Sequence, residues 1–246
     1  MPKIQIRKNL SDLSRRAAEL FVSSASDAMD RSGRFVVSLS GGSTPKALYQ
    51  LLATDEFSNR VDWQKVYFFF GDERFVPIDS KNSNFRMLNE SLFEPLKIPD
   101  VNIFRWRTEL DNAEVAAADY ETRMITFFEL NEGELARFDL TLLGLGEDGH
   151  TASLFPGSLA LEVTDRLAIE NWVEKFQMFR LTMTYPVINN SAACAFLVSG
   201  EAKAAVLAEI LGGTAKTGYP AKGVAPLNGE LIWLLDEAAA SKLTPR

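Results

Sequence analysis

The sequence predicts an α/β fold built on a largely parallel central sheet flanked by helices. Three observations carry this. Short apolar, β-rich runs alternate with segments of helical periodicity. Each run ends in glycine with polar residues, where a strand gives way to a loop. Of the 246 residues 46% are hydrophobic, enough for a substantial core, and no repeat or linker divides them, so one domain over 1–246 is expected.

Leu10, Leu13, Ala17, Leu20, Phe21 and Ala28 share one helical stripe, predicting a helix over 10–32 capped by Asn9 or Ser11 and stopped by Gly33. The run 35–39 reads as a strand closed by Ser40-Gly41-Gly42. A helix over 45–51 follows, with Pro45 at its first position, where a missing N–H costs no bond. VYFFF at 66–70 is a buried strand ending at Gly71. Asp111 with Glu114 reads as a capping box for a helix to about Leu130. The runs 140–143, 167–170, 193–198 and 231–235 complete the strands, and a helix over 201–211, stopped by Gly212-Gly213, lies between the last two.

Composition excludes several functions. Lys plus Arg number 26 against 33 Asp plus Glu, a net charge of −7, so no nucleic-acid footprint is expected. His150 is the only histidine and Cys194 the only cysteine, which rules out a His/Cys zinc site and an intramolecular disulfide. A carboxylate-held magnesium ion has no motif behind it, so neither metal nor cofactor is expected. A Ser-His-Asp triad would need His150, and no G-x-S-x-G supplies its serine. No apolar run reaches the roughly 18 residues of a membrane span. The start, MPKIQIRKNL, lacks the apolar core of a secretory signal, and a cytoplasmic protein is expected.

In such a sheet ligands bind beyond the carboxyl ends of the strands, so the strand-terminal segments hold the candidate chemistry. Ser40-Gly41-Gly42-Ser43-Thr44 joins a strand to a helix whose first N–H groups are unpaired and favour an anion such as phosphate. It matches neither a Walker A loop nor G-x-G-x-x-G, and it also reads as a simple capped turn. Asp72-Glu73-Arg74 follows the aromatic strand, where Arg74 can hold an anion, polarise a carbonyl oxygen, or merely pair with a carboxylate. Asn82-Ser83-Asn84 and Arg86 suit sugar hydroxyls or a helix cap. The segment LGLGEDGHTASLFPG at 143–157 places His150, with Asp148 beside it, in a glycine-shaped loop; imidazole is the natural base near neutral pH. Arg180 and Lys203 supply cations, and Lys203 lies near a helix start, a position the macrodipole disfavours unless an anion is bound.

Together these segments resemble the 6-phosphogluconolactonase family across nearly the whole chain. The resemblance rests on SGGSTPKALY at 40–49, GDERFVP at 71–77, NSNFR at 82–86, LLGLGEDGHTASLFPGS at 142–158, RLTMTYPVINN at 180–190 and SGEAKA at 199–204. It implies a modified Rossmann-like fold, no required metal, and hydrolysis of a phosphorylated sugar lactone. Glucosamine-6-phosphate deaminases share the phosphate loop and the Asp-Gly-His segment, but TASLFP after His150 and DERFVP after Gly71 favour the lactonase. On this reading His150 deprotonates water and Asp148 orients it, while Arg74 or nearby backbone N–H groups meet the oxyanion. Ser40, Gly41, Gly42, Ser43, Thr44, Arg180 and Lys203 hold the phosphate, and Asp72 and Asn84 belong to the same substrate- and phosphate-binding set. Deaminase-type isomerisation and a non-catalytic sugar-phosphate sensor stand as alternatives. The sensor would need a DNA-binding segment, and none is legible ahead of Ser11. Oligomeric state stays open.

Overall fold

The structure, a computed structural model, describes residues 2–212 and 218–243. Strand β1 (Lys3–Arg7) leads into α1 (Leu10–Ser32). Of the two candidate caps it is Asn9 that accepts from the Asp12 N–H, at 3.0 Å. Gly33, at φ 73°, ends α1 by donating to the Met29 carbonyl. The wholly buried β2 (Phe35–Leu39) follows, then α2 (Ser43–Leu52) and α3 (Asp55–Ser58). Helix α2 starts two residues before Pro45. The proline is tolerated there because the whole first turn has no intrahelical acceptors for its N–H groups.

Strands β3 (Val66–Phe70) and β4 (Asp72–Arg74) meet at Gly71. Helices α4 (Asn84–Leu88) and α5 (Glu94–Leu96) and the short β5 (Ile103–Phe104) come next. Helix α6 (Ala113–Phe128) is capped by Asn112, which accepts from Val115 N–H at 2.9 Å, rather than by Asp111. It stops short of Leu130 because Glu129 turns left-handed at φ 53°. The remainder is β6 (Leu140–Leu143), β7 (Ala168–Val173), β8 (Met178–Met183), α7 (Tyr185–Asn189), β9 (Ala193–Val198), α8 (Ala204–Gly212), β10 (Glu230–Asp236) and α9 (Glu237–Ala240). A 3₁₀ turn over Glu201–Lys203 precedes α8, and the expected stop at Gly213 lies outside the described residues.

Seven strands form one sheet in the order β1-β10-β9-β6-β2-β3-β5, every pair parallel. From β2 the chain runs outward through β3 and β5. It then returns to β6 on the other side, so β2 and β6 are neighbours whose connections leave in opposite directions. That switch point opens a crevice at their carboxyl ends. Phenylalanines pack the sheet: Phe69 stacks on Phe104 at 4.4 Å and Phe21 meets Phe35 edge-on at 5.2 Å. Each fully buried phenylalanine contributes about 1.5–3 kcal/mol.

A second sheet, β4-β8-β7, is antiparallel. The short strand expected over 167–170 is the start of β7, which begins at Ala168 and belongs to this sheet. The handover occurs at Phe70. Its N–H donates to Tyr120 Oη at 2.8 Å, and its carbonyl accepts from Tyr120 and from Trp106 Nε1, each at 3.0 Å. With that backbone satisfied by side chains, the chain leaves the first sheet at no hydrogen-bond cost and enters the second. The small sheet thus places β4 beside the crevice.

Candidate active site

The crevice encloses about 230 Å³. Its walls are Ser40–Pro45 after β2, Asp72, Arg74 and Asn84 from the β4 side, Gly144–Gly146, His150 and Ala152 after β6, and Leu197–Ser199 with Lys203 after β9. A larger depression beside α6, about 410 Å³, gathers Glu121, Glu132, Glu134 and Asp165 with only Arg166 opposite, and Arg166 already pairs with Glu121.

Tyr49 of α2 fixes the first wall. Its hydroxyl accepts from Ser40 N–H at 3.1 Å and donates to the Ser40 carbonyl at 2.8 Å. The Ser40 Oγ is buried without a partner, an unspent hydrogen-bonding group on the wall. Gly42 adopts φ 108°, and a Cβ on Gly41 would overlap the Asn84 carboxamide, 2.9 Å from its Nδ2. Both glycines are there for stereochemical reasons.

Arg74 donates from Nη1 to Asn84 Oδ1 at 2.7 Å and to the Asn82 carbonyl at 2.9 Å, while Asn84 Nδ2 donates to the Asp72 carbonyl at 2.9 Å. Beneath them lies Glu73, 2% exposed. Its carboxylate accepts from the backbone N–H groups of Arg74, Asn84 and Phe85 at 2.7–2.8 Å. Burial lifts Glu73 to about 7, against those three donors, which pull it down. Asp72 accepts from Ser153 Oγ at 2.7 Å, joining the β4 wall to the histidine loop.

In that loop, Gly146 N–H donates to the His150 carbonyl at 2.8 Å and Gly149 turns at φ 76°. His150 Nδ1 lies 2.5 Å from Asp148 Oδ1. An ionised carboxylate only accepts, so Nδ1 carries the proton of this bond, and Nε2 is the ring nitrogen that Asp148 does not engage. Burial pushes Asp148 up, but His150 and Lys175 outweigh it and hold the carboxyl down at about 2. Phe155 stacks on the imidazole at 4.2 Å.

Of the residues nominated from sequence, Ser40, Gly41, Gly42, Ser43, Thr44, Asp72, Arg74, Asn84, His150 and Lys203 share this one crevice. Asp148 stands behind His150. Lys203, 3.6 Å from Glu147, faces the crevice across from the Ser40–Thr44 turn. Arg180 does not line it. It sits on β8 directly opposite Arg74, 9% exposed, its Nε without a partner and its guanidinium 5.0 Å from the Phe176 ring. Burial, then the charge of Arg74, lower its pKa. The register sets Arg180 on the same face of the small sheet as Arg74, with its guanidinium over Phe176. Sequence reasoning missed Glu73 as an anchor and Ser153 as a link, for neither carries a local signal. No three His, Cys, Asp or Glu among the described residues gather as metal ligands, and no helix among them is long and apolar enough to cross a membrane.

The family model for glucosamine-6-phosphate isomerases/6-phosphogluconolactonase matches residues 8–233. A 6-phosphogluconolactonase of Synechocystis sp. is 40% identical over 245 residues, 99% of each chain. The solved structure of 6-phosphogluconolactonase from Trypanosoma brucei is 30% identical, with a TM-score of 0.87 over 99% of each chain. A monomeric glucosamine-6-phosphate deaminase, 22% identical, has a TM-score of 0.79 over 98% of this chain and 99% of that one, a likeness of fold.

Proposed function

The chain belongs to the glucosamine-6-phosphate isomerase/6-phosphogluconolactonase family, and from that premise we infer that it hydrolyses 6-phospho-D-glucono-1,5-lactone to 6-phospho-D-gluconate, the second step of the oxidative pentose phosphate pathway. The observation that carries the reading is the meeting, in one crevice, of the Asp148–His150 pair with an anion-favouring helix start.

His150 Nε2 takes a proton from water as the oxygen attacks the lactone carbonyl carbon. General-base help of this kind is typically worth about 10²–10⁴-fold. The carbonyl oxygen gains negative charge, which Arg74 or backbone N–H groups of the crevice stabilise. Collapse breaks the bond to the ring oxygen, which leaves with the proton held by His150, and the new carboxylic acid ionises. Asp148 keeps Nδ1 protonated and the ring oriented. The substrate phosphate sits on the Ser40–Thr44 turn with Lys203 and Arg180, using the unpaired N–H groups of α2 and the free Ser40 Oγ. Asp72 and Asn84 take sugar hydroxyls. Fixing the phosphate sets the carbonyl against the base. A cytoplasmic setting belongs to the same proposal and fits a lone, buried thiol at Cys194, pushed up to about 12 by burial.

The test is turnover of freshly generated lactone by wild type and by His150→Asn, each against a buffer blank because such lactones open spontaneously. Wild type should exceed the blank and His150→Asn approach it, with KM changed far less than kcat. Ammonia release from glucosamine 6-phosphate without lactone turnover would replace the reading. Near-normal kcat in a folded His150→Asn would remove the base.

A further inference from the structure

The β7–β8 hairpin reaches the histidine from outside the crevice. Trp172 pairs with Phe179 and Val173 with Met178, leaving Glu174–Gln177 as the tip. The tip is internally tied: Trp172 Nε1 donates to Glu174 Oε2 at 2.8 Å, Gln177 Nε2 donates to Glu174 Oε1 at 2.7 Å, and Gln177 closes the turn at φ 49°. Two side chains project from it onto the His150 assembly. Phe176 meets Phe155 edge-on at 5.9 Å, and Phe155 in turn stacks on the His150 ring. Lys175 Nζ donates to Asp148 Oδ2 at 3.3 Å, the oxygen that His150 leaves free.

Taking His150 as the base, as argued above, we propose that Lys175 is a positioning residue for the lactone hydrolysis: it anchors the second oxygen of Asp148 so that the first stays on Nδ1 of His150. A carboxylate held at one oxygen swings about its Cβ–Cγ bond; held at both, it keeps one orientation. The lysine's charge also lies close to the imidazole, so replacing it is expected to move the pH dependence of the reaction. Lys175 does not line the crevice, so the role proposed for it runs through Asp148. The other charges around the pair are Glu147 with Lys203 on one side and Asp72 and Arg74 across the crevice.

The series Lys175→Arg, Lys175→Met and Lys175→Glu separates charge from shape. The Lys175 side chain is 63% exposed, so the coupling is of the surface kind and Lys175→Met should lower kcat about 2- to 5-fold with KM unchanged. Its acid limb of activity should move to higher pH by roughly 0.3 unit, as one positive charge is removed through a water-like medium. Lys175→Glu, a change of two charges, should move it about twice as far. Lys175→Arg should restore both kcat and the limb, and thermal melting should confirm that all three variants fold. Wild-type kcat and pH profile in the Met and Glu variants, with His150→Asn inactive, would overturn the proposal and leave the base intact. Equal losses in all three variants with no movement of the limb would assign the hairpin a purely structural role and overturn it as well. Activity retained by His150→Asn would instead refute the underlying reading.

Discussion

Replacing Gly146 by alanine sets a methyl group against the His150 imidazole, the proposed base. The added Cβ would lie 2.7 Å from Asp148 Oδ1 and overlap Nδ1 and Cε1 of His150. Non-bonded carbon contacts settle at about 3.5–4.0 Å, so the ring must move by more than about 1 Å. Phe155 already stacks on it at 4.2 Å, and any shift stretches the 2.5 Å contact to Asp148. Gly146 is outside the left-handed region, so alanine adds no backbone strain and the fold should survive with a melting temperature within a few degrees of wild type. A misplacement of about 1 Å costs about 10²-fold, and complete loss of the base up to about 10⁴-fold. The expected fall in kcat therefore lies between these limits. Hydrolysis at neutral pH releases one proton per turnover, so a pH-stat on freshly prepared lactone measures the rate directly. A folded Gly146→Ala protein with kcat within about threefold of wild type would refute the argument, since no base can tolerate such a displacement.

Three further outcomes are expected. Gly41→Ala places its Cβ on the Asn84 carboxamide and should part Asn84 from Arg74. Loss of a charge-assisted hydrogen bond of about 1.5–3 kcal/mol lowers kcat/KM about 10- to 100-fold, and wild-type kinetics would show that Asn84 yields freely. Glu73 sits at about 7 when folded, above its ordinary 4.5, so its contribution to stability is full below pH 4.5 and is lost as pH rises through 7. Denaturant titrations should find about 3 kcal/mol of such loss in wild type and a flatter profile in Glu73→Gln; parallel profiles would contradict this. Lys203→Ala should raise KM about 10- to 100-fold for the phosphorylated lactone and hardly at all for gluconolactone. Arg180→Ala, opposite Arg74, should show the same preference, and an unchanged preference would remove Arg180 from the phosphate site.

The sequence alone determined what depends on neighbours along the chain. Asn9 and Gly33 bound α1 because capping involves residues three or four apart. The turns after β2, β3 and β6 were legible as ligand-facing because glycine and polar residues directly follow apolar strands. Even the misreading at Asp111 was an error of one position along the chain, with Asn112 the cap. Which strand lies beside which is decided by pairings between residues far apart in sequence, and periodicity carries no trace of them. Only the tertiary structure puts β4 with β8 and β7 in a separate antiparallel sheet, brings Ser153 to Asp72, 81 residues away, and sets Lys175 on Asp148. Arg180 shows the boundary most clearly. Its charge and its strand are readable locally, but only the register sets it directly opposite Arg74, with its guanidinium over Phe176.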